Sequence, residues 1–150
     1  YTDFVLVPLL ISGSIALGGF NLLWFVWGVV LWTLAEYLTH RFLFHRMFRK
    51  EHWQHHMRKN DYVGVSTFKT IPAVLLLLGL AYLTNIGPLY QGIMFGYLFY
   101  IVAHDAIHHP NWLTKLMPNS VGHIRHHLGD EINFGVSTSI WDHVFGTYVD

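Results

Sequence analysis

The sequence predicts an all-α integral membrane fold: four transmembrane helices paired as two hairpins, with a helical cap on the cytoplasmic side. Three observations predict it. Of 150 residues, 53% are hydrophobic and only 12% charged, roughly half the ~25% of a soluble domain, and the mean hydropathy is +0.35. Four apolar stretches run from Phe4 to Phe20, Leu22 to Leu38, Ile71 to Ile86 and Leu89 to Ala103. All nine basic residues lie outside those stretches and in only two places.

Gly18-Gly19 and Asn21 separate the first two stretches, and Gly87-Pro88 separates the last two; such residues mark turns. The second stretch carries Trp24, Trp27 and Trp32 and no charge before Glu36. Each stretch has 15 to 17 residues, short of the ~20 that cross a ~30 Å hydrocarbon core. The helices are therefore expected to run on into the polar segments, or to sit in a thinned bilayer. Arg41, Arg46, Arg49, Lys50, Arg58, Lys59 and Lys69 lie between spans two and three, and Lys115 and Arg125 follow span four. With four spans both places share one side, which the positive-inside rule makes cytoplasmic. Gly92 and Gly96 are expected to serve helix packing, and the rows of aromatic residues to face lipid or neighbouring helices. One domain, residues 1–150, is expected, and Tyr1-Thr2-Asp3 lacks the basic start of a signal peptide.

Composition also excludes. Nine basic against nine acidic residues leave no electrostatic footprint for nucleic acid. The absence of cysteine removes disulfides, thiolate zinc sites and iron–sulfur clusters.

Twelve histidines outnumber all lysines and arginines, and eleven fall in three windows at or beyond the ends of spans. The first holds His40, His45, His52, His55 and His56; the second His104, His108 and His109; the third His123, His126 and His127. Residues three and four apart share a helix face, so His52 with His55 and His56, His104 with His108, and His123 with His126 and His127 can each aim at a common point. His40 and His45 are five apart, about 140° on a regular helix. They share a site if the helix ends or distorts between them, or if it faces two metals. Imidazole is the commonest ligand for iron, copper and zinc. Ten or eleven histidines exceed the four ligands of one tetrahedral ion, so two metals are the economical count. The carboxylates Glu36, Glu51, Asp61, Asp105, Asp130, Glu131 and Asp142 form no Glu-x-x-His pair of the carboxylate-bridged kind. His143 stands alone and is expected at the surface.

The ordered boxes His-x4-His, His-x2-His-His, His-x3-His-His and His-x2-His-His, with Glu36–His45, Asn133–Thr138 and Trp141–Thr147, resemble the fatty acid hydroxylase/sterol desaturase superfamily over residues 31–150. The first box is most similar to that of fatty acid 2-hydroxylases. The resemblance implies a non-haem centre of two iron ions, replaceable by zinc in a purified sample, that oxidises lipid carbon–hydrogen bonds with O2. Its ligands would be His40, His45, His52, His55, His56, His104, His108, His123, His126 and His127, with His109 as a further possibility. Glu36, Asp105 and Asp142 would orient imidazoles from behind. The expected product is a hydroxylated fatty acyl chain. Sterol or carotenoid hydroxylation or desaturation is the alternative, because the six residues between His45 and His52 form a shorter connection than in eukaryotic 2-hydroxylases. No nucleotide fingerprint or cysteine cluster is present, so a separate donor, a ferredoxin or b-type cytochrome with its reductase, is expected. The membrane would be a bacterial inner membrane or the endoplasmic reticulum. A b-type cytochrome would place histidines inside the spans, and a zinc hydrolase would want a base beside its ion. Neither pattern is seen.

Overall fold

In a computed structural model, residues 2–58, 67–129 and 131–150 are described, with side chains from 71 onward in the second block. Lys59, Asp61, Asp130 and the Lys69 side chain, named above, lie outside the described residues. The chain forms helices α1 (Asp3–Gly18) and α2 (Leu22–Leu38), a π-helical segment (Thr39–Met47), then α3 (Arg49–Met57), α4 (Thr67–Thr84) and α5 (Gly87–His108). A 3-10 turn (Trp112–Leu116), α6 (Ser120–His126) and α7 (Ile140–Phe145) follow. No strand occurs among the described residues. Two compact units result: Tyr1–Trp32 with Val65–Phe99, and Thr33–Gly64 with Tyr100–Asp150.

The first unit turns apolar side chains outward. Leu17, Leu23, Trp27, Leu76 and Tyr82 are all exposed, while Val7, Ala81, Tyr90 and Met94 form a small core. Two polar ties fasten it: Tyr97 Oη donates to buried Asp3 at 2.6 Å, and Gln91 Nε2 to the Gly19 carbonyl at 2.9 Å. Gly28 of α2 and Gly92 of α5 let two backbones touch. A Cβ on Gly28 would strike the Leu89 carbonyl, and one on Gly92 the Phe25 carbonyl. Gly96 faces the Trp32 ring, so both glycines of the expected packing motif lie at helix contacts. Trp32 is one of the aromatic residues expected at lipid or helix contacts, whereas Gly28 carried no signal in the sequence.

Among the described residues one helical run, the 26 residues Leu22–Met47, is long and apolar enough to cross a membrane; Asp3–Gly18 and Ile71–Thr84 are shorter apolar helices. α2 does run on into polar sequence, and α5 continues past Ala103 to His108.

The second unit buries polar groups instead. Its buried side chains include eight histidines, among them His40, His104, His123 and His126, together with Glu36, Asn119, Asn133 and Asp142. The C-terminal segment is laced to the end of α2: Tyr37 stacks on Phe145 at 5.2 Å and its hydroxyl meets that of Thr147 at 2.9 Å, while Trp141 Nε1 donates to Thr33 Oγ1 at 3.0 Å.

Candidate metal centre

Ten histidines of the second unit converge in two groups. One comprises His40, His45, His52, His56 and His126; the other comprises His55, His104, His108, His123 and His127. Within each group the five ligand atoms all lie within 4.8 Å of one another. The groups adjoin, with His56 stacked on His127 at 4.3 Å between ring centroids.

The local structure explains each placement. In the π-helical segment bonds close from i to i+5, as from Phe48 N–H to the Leu43 carbonyl at 2.7 Å. Residues five apart therefore stand one turn apart, and His40 and His45 join the same group. The two His-x2-His-His boxes behave differently from the expectation of one common point. His52 and His56 serve the first group and His55 the second; His123 and His127 serve the second and His126 the first. On an α-helix i+4 lies about 40° to one side of i, and i+3 about 60° to the other. Each box therefore straddles two centres, with its i,i+4 pair on one and its middle histidine on the other.

All the paired nitrogens are Nε2. His52 Nε2 lies 3.0 Å from His40 Nε2, 3.1 Å from His45 Nε2 and 3.0 Å from His56 Nε2, and His45 Nε2 is 3.0 Å from His126 Nε2. In the second group His55 and His104 are 3.0 Å apart, His108 and His123 3.1 Å, and His127 and His123 3.2 Å. One proton on His52 can satisfy a single neighbour, so hydrogen bonding alone does not account for this convergence. Nitrogens bound at ~2.1 Å to one ion lie about 3.0 Å apart along an octahedral edge and about 3.4 Å along a tetrahedral one. The spacing and the five donors of each group would suit one metal ion per group.

The backbone fixes two of the tautomers. His40 Nδ1 lies 2.5 Å from the Phe134 carbonyl and His126 Nδ1 2.7 Å from that of Ile132. A carbonyl only accepts, so both Nδ1 atoms carry the proton and both Nε2 atoms present lone pairs. The carbonyl-bearing segment is itself held by the predicted carboxylates. Asp142, fully buried, accepts from Phe134 N–H at 2.7 Å, Gly135 N–H at 2.9 Å and the Thr147 hydroxyl at 2.8 Å. Glu36 accepts from the Val136 and Ser137 N–H groups at 2.7 and 2.8 Å and from the Ser137 hydroxyl. A Cβ at Gly135 would collide with the Thr138 carbonyl, so only glycine fits there. Asp142 reaches the histidines through a backbone carbonyl. Asp105 instead pairs with His109 at 3.2 Å. His109 and His143 belong to neither group; His143 is exposed and stacks on Tyr148 at 3.9 Å. Phe134 and Ile132 act through main-chain atoms; Phe134 lies in the Asn133–Thr138 stretch singled out in the sequence, and Ile132 just before it carried no signal.

Burial keeps the imidazoles neutral, the form that binds metal. Desolvation, with His108 and His56 adding to it, lowers His55 to about 3. It lowers His126 to about 3 as well, against the opposing pull of the Ile132 carbonyl. His52, His123 and His127 lie well below the ordinary histidine value for the same leading cause.

The fatty acid hydroxylase family model matches residues 25–147, which contain both histidine groups and the segment that anchors His40 and His126 of the first. The chain belongs to the fatty acid hydroxylase family. A dihydroceramide fatty acyl 2-hydroxylase of Arabidopsis thaliana is 33% identical over 80% of this chain and 58% of its own length. The fatty acid 2-hydroxylase of Rattus norvegicus is 32% identical over 83% of this chain and 39% of its own. A solved structure of full-length scs7p, in which only the hydroxylase domain is visible, superposes with a TM-score of 0.70 at 31% identity, covering 97% of this chain and 63% of that one. This fatty acid hydroxylase chain therefore spans less than two thirds of the length of these relatives.

Proposed function

We propose that the chain is the catalytic part of an O2-dependent lipid hydroxylase acting on a fatty acyl chain, at carbon 2 as its relatives are named. The observation that carries the reading is the pair of five-nitrogen groups, each within 4.8 Å. His40, His45, His52, His56 and His126 would hold one iron, and His55, His104, His108, His123 and His127 the other. Imidazole suits iron, and zinc as a substitute in a purified sample. When bound, the two irons supply the redox chemistry that activates O2 and oxidises the carbon–hydrogen bond. The chain itself keeps His52, His55, His123, His126 and His127 neutral, turns the Nε2 atoms of each group toward one another and holds His40 and His126 on main-chain carbonyls.

The proposed setting is one membrane domain of four spans in two hairpins, with the histidine-bearing segments on the cytoplasmic face. The charge distribution supports it: the described segment Arg41–Arg58 carries five cations and one acid. A separate donor, a ferredoxin or b-type cytochrome with its reductase, would supply the electrons. A single cysteine at Arg58 or Lys115 is expected to label only from the cytoplasmic side. Turnover under ¹⁸O2 with ferrous iron, a reductant and fatty acyl lipid is expected to place one labelled oxygen on the acyl chain. A new double bond without label would make the chain a desaturase, and label from water would reject an oxygenase.

A further inference from the structure

We propose that a groove beside α3 is the docking site of an acidic one-electron carrier protein, and that Trp53 joins this groove to the first histidine group. The proposal rests on the oxygenase reading, which needs two electrons per turnover. The groove has a volume of about 690 Å³ and is lined by Arg46, Met47, Arg49, Lys50, Glu51 and Trp53 among others. Three cations thus face one acid. Among the described residues no hydrogen bond or ion pair engages the side chains of Arg46, Arg49 or Lys50. Met47 and Trp53, 66% and 47% exposed, add apolar surface between the charges. Interface cores favour Met, Trp and Arg, and complementary charge steers association.

Arg49 and Trp53 also line a second, much smaller cavity of about 10 Å³, whose walls include His45, His52 and His56. It has room for about one water. Trp53 lies three residues before His56 on α3, so both share a face; the rings are nearly parallel, 11° apart, with centroids at 6.2 Å. A partner resting on Trp53 is therefore one ring removed from a histidine of the first group. The histidines line the small cavity, which shares Arg49 and Trp53 with the groove; that proximity serves a protein carrying a redox centre and has no use for an anionic lipid surface. Hydroxylation takes RH, O2, two electrons and two protons to ROH and water. Two reduced carriers would dock in turn, each leaving oxidised by one electron.

The test measures binding on the metal-loaded protein under anaerobic conditions in phosphatidylcholine nanodiscs, with an acidic ferredoxin and an acidic b-type cytochrome domain as probes. At least one probe is expected to bind and to weaken with added salt. Arg46→Glu with Lys50→Glu should weaken it about tenfold or more, with metal content and helix content unchanged. The milder Arg46→Gln with Lys50→Gln should fall between. Trp53→Leu should slow reduction of the metal centre by the bound carrier in stopped-flow absorbance. Binding that is absent for both probes, or equal in wild type and charge-reversed protein, overturns the proposal. So does loss of binding to phosphatidylserine vesicles with carrier binding intact, which would make the face a lipid surface. Dithionite in place of the carrier tests the oxygenase reading by itself: wild-type protein that then incorporates no ¹⁸O rejects that reading whatever the docking result.

Discussion

The two histidine groups have the same donor number and the same nitrogen spacing, yet they are held differently. In the first, His40 and His126 are fixed from behind by the carbonyls of Phe134 and Ile132. That segment is fastened in turn by Asp142 and Glu36. In the second, the Nδ1 atoms of His55, His104, His123 and His127 are buried with no partner among the described residues. Leaving a buried polar group unpaired costs about 1–3 kcal/mol. Two rings of the first group are thus fixed by main-chain carbonyls, whereas four of the second lack such a tie.

The strongest way to break this comparison is to remove His126, which is both a donor and an anchored ring. His126→Ala is expected to abolish lipid oxidation and to reduce the metal content from two ions per chain to one, by elemental analysis. Two tightly held ions in that variant would show that the groups do not act separately.

Acid should act next. His55 and His126 are held at about 3 in the folded chain against about 6.5 when unfolded. Above pH 6.5 both states are neutral and nothing is lost. Between 6.5 and 3 the unfolded chain binds the extra protons, so stability falls as pH falls and levels off below 3. Denaturant midpoints of the metal-free protein should drop through that window, on the order of several kcal/mol in all.

Asp142→Asn weakens two bonds to the Phe134–Gly135 backbone, and about 1–3 kcal/mol of stability is expected to go with them. The first group's ion should be affected more than the second's, by about 10–100-fold in affinity, as equilibrium dialysis would show. A milder contrast is the order of release: with a chelator titrated against wild-type protein, the second group's ion should leave first. His143→Ala, at an exposed ring stacked on Tyr148, should change stability by no more than about 0.5 kcal/mol and leave the metal content at two.

α2 was legible because seventeen uncharged or nearly uncharged apolar residues from Leu22 to Leu38 have no other use. The ten histidines were legible because residue type and spacing carry the chemistry. Their division was hidden. His52, His55 and His56 look like one cluster along the chain, and only the rotation of α3 against its neighbours sends the middle one elsewhere. Asp142 and Glu36 were visible as carboxylates near the boxes. Their route to the histidines was not, because it passes through peptide groups, which every residue possesses. The groove at Arg46–Trp53 was half visible: the run of positive charge stands out in the sequence, but its concavity arises only from folding.

The π-helical segment has a further consequence. A helix is a screw, and closing bonds one residue later changes its pitch for the length of Thr39–Met47. Every face downstream is then out of phase with the apolar run before it. His104 and His108 meet the same demand with ordinary α-helical pitch and a spacing of four. Shortening the first box to that spacing would still present two rings on one side. It would also turn α3 by about 100° relative to α2, carrying His52, His55 and His56 away from their groups. The extra residue between His40 and His45 is therefore a timing element: it sets where the next helix points.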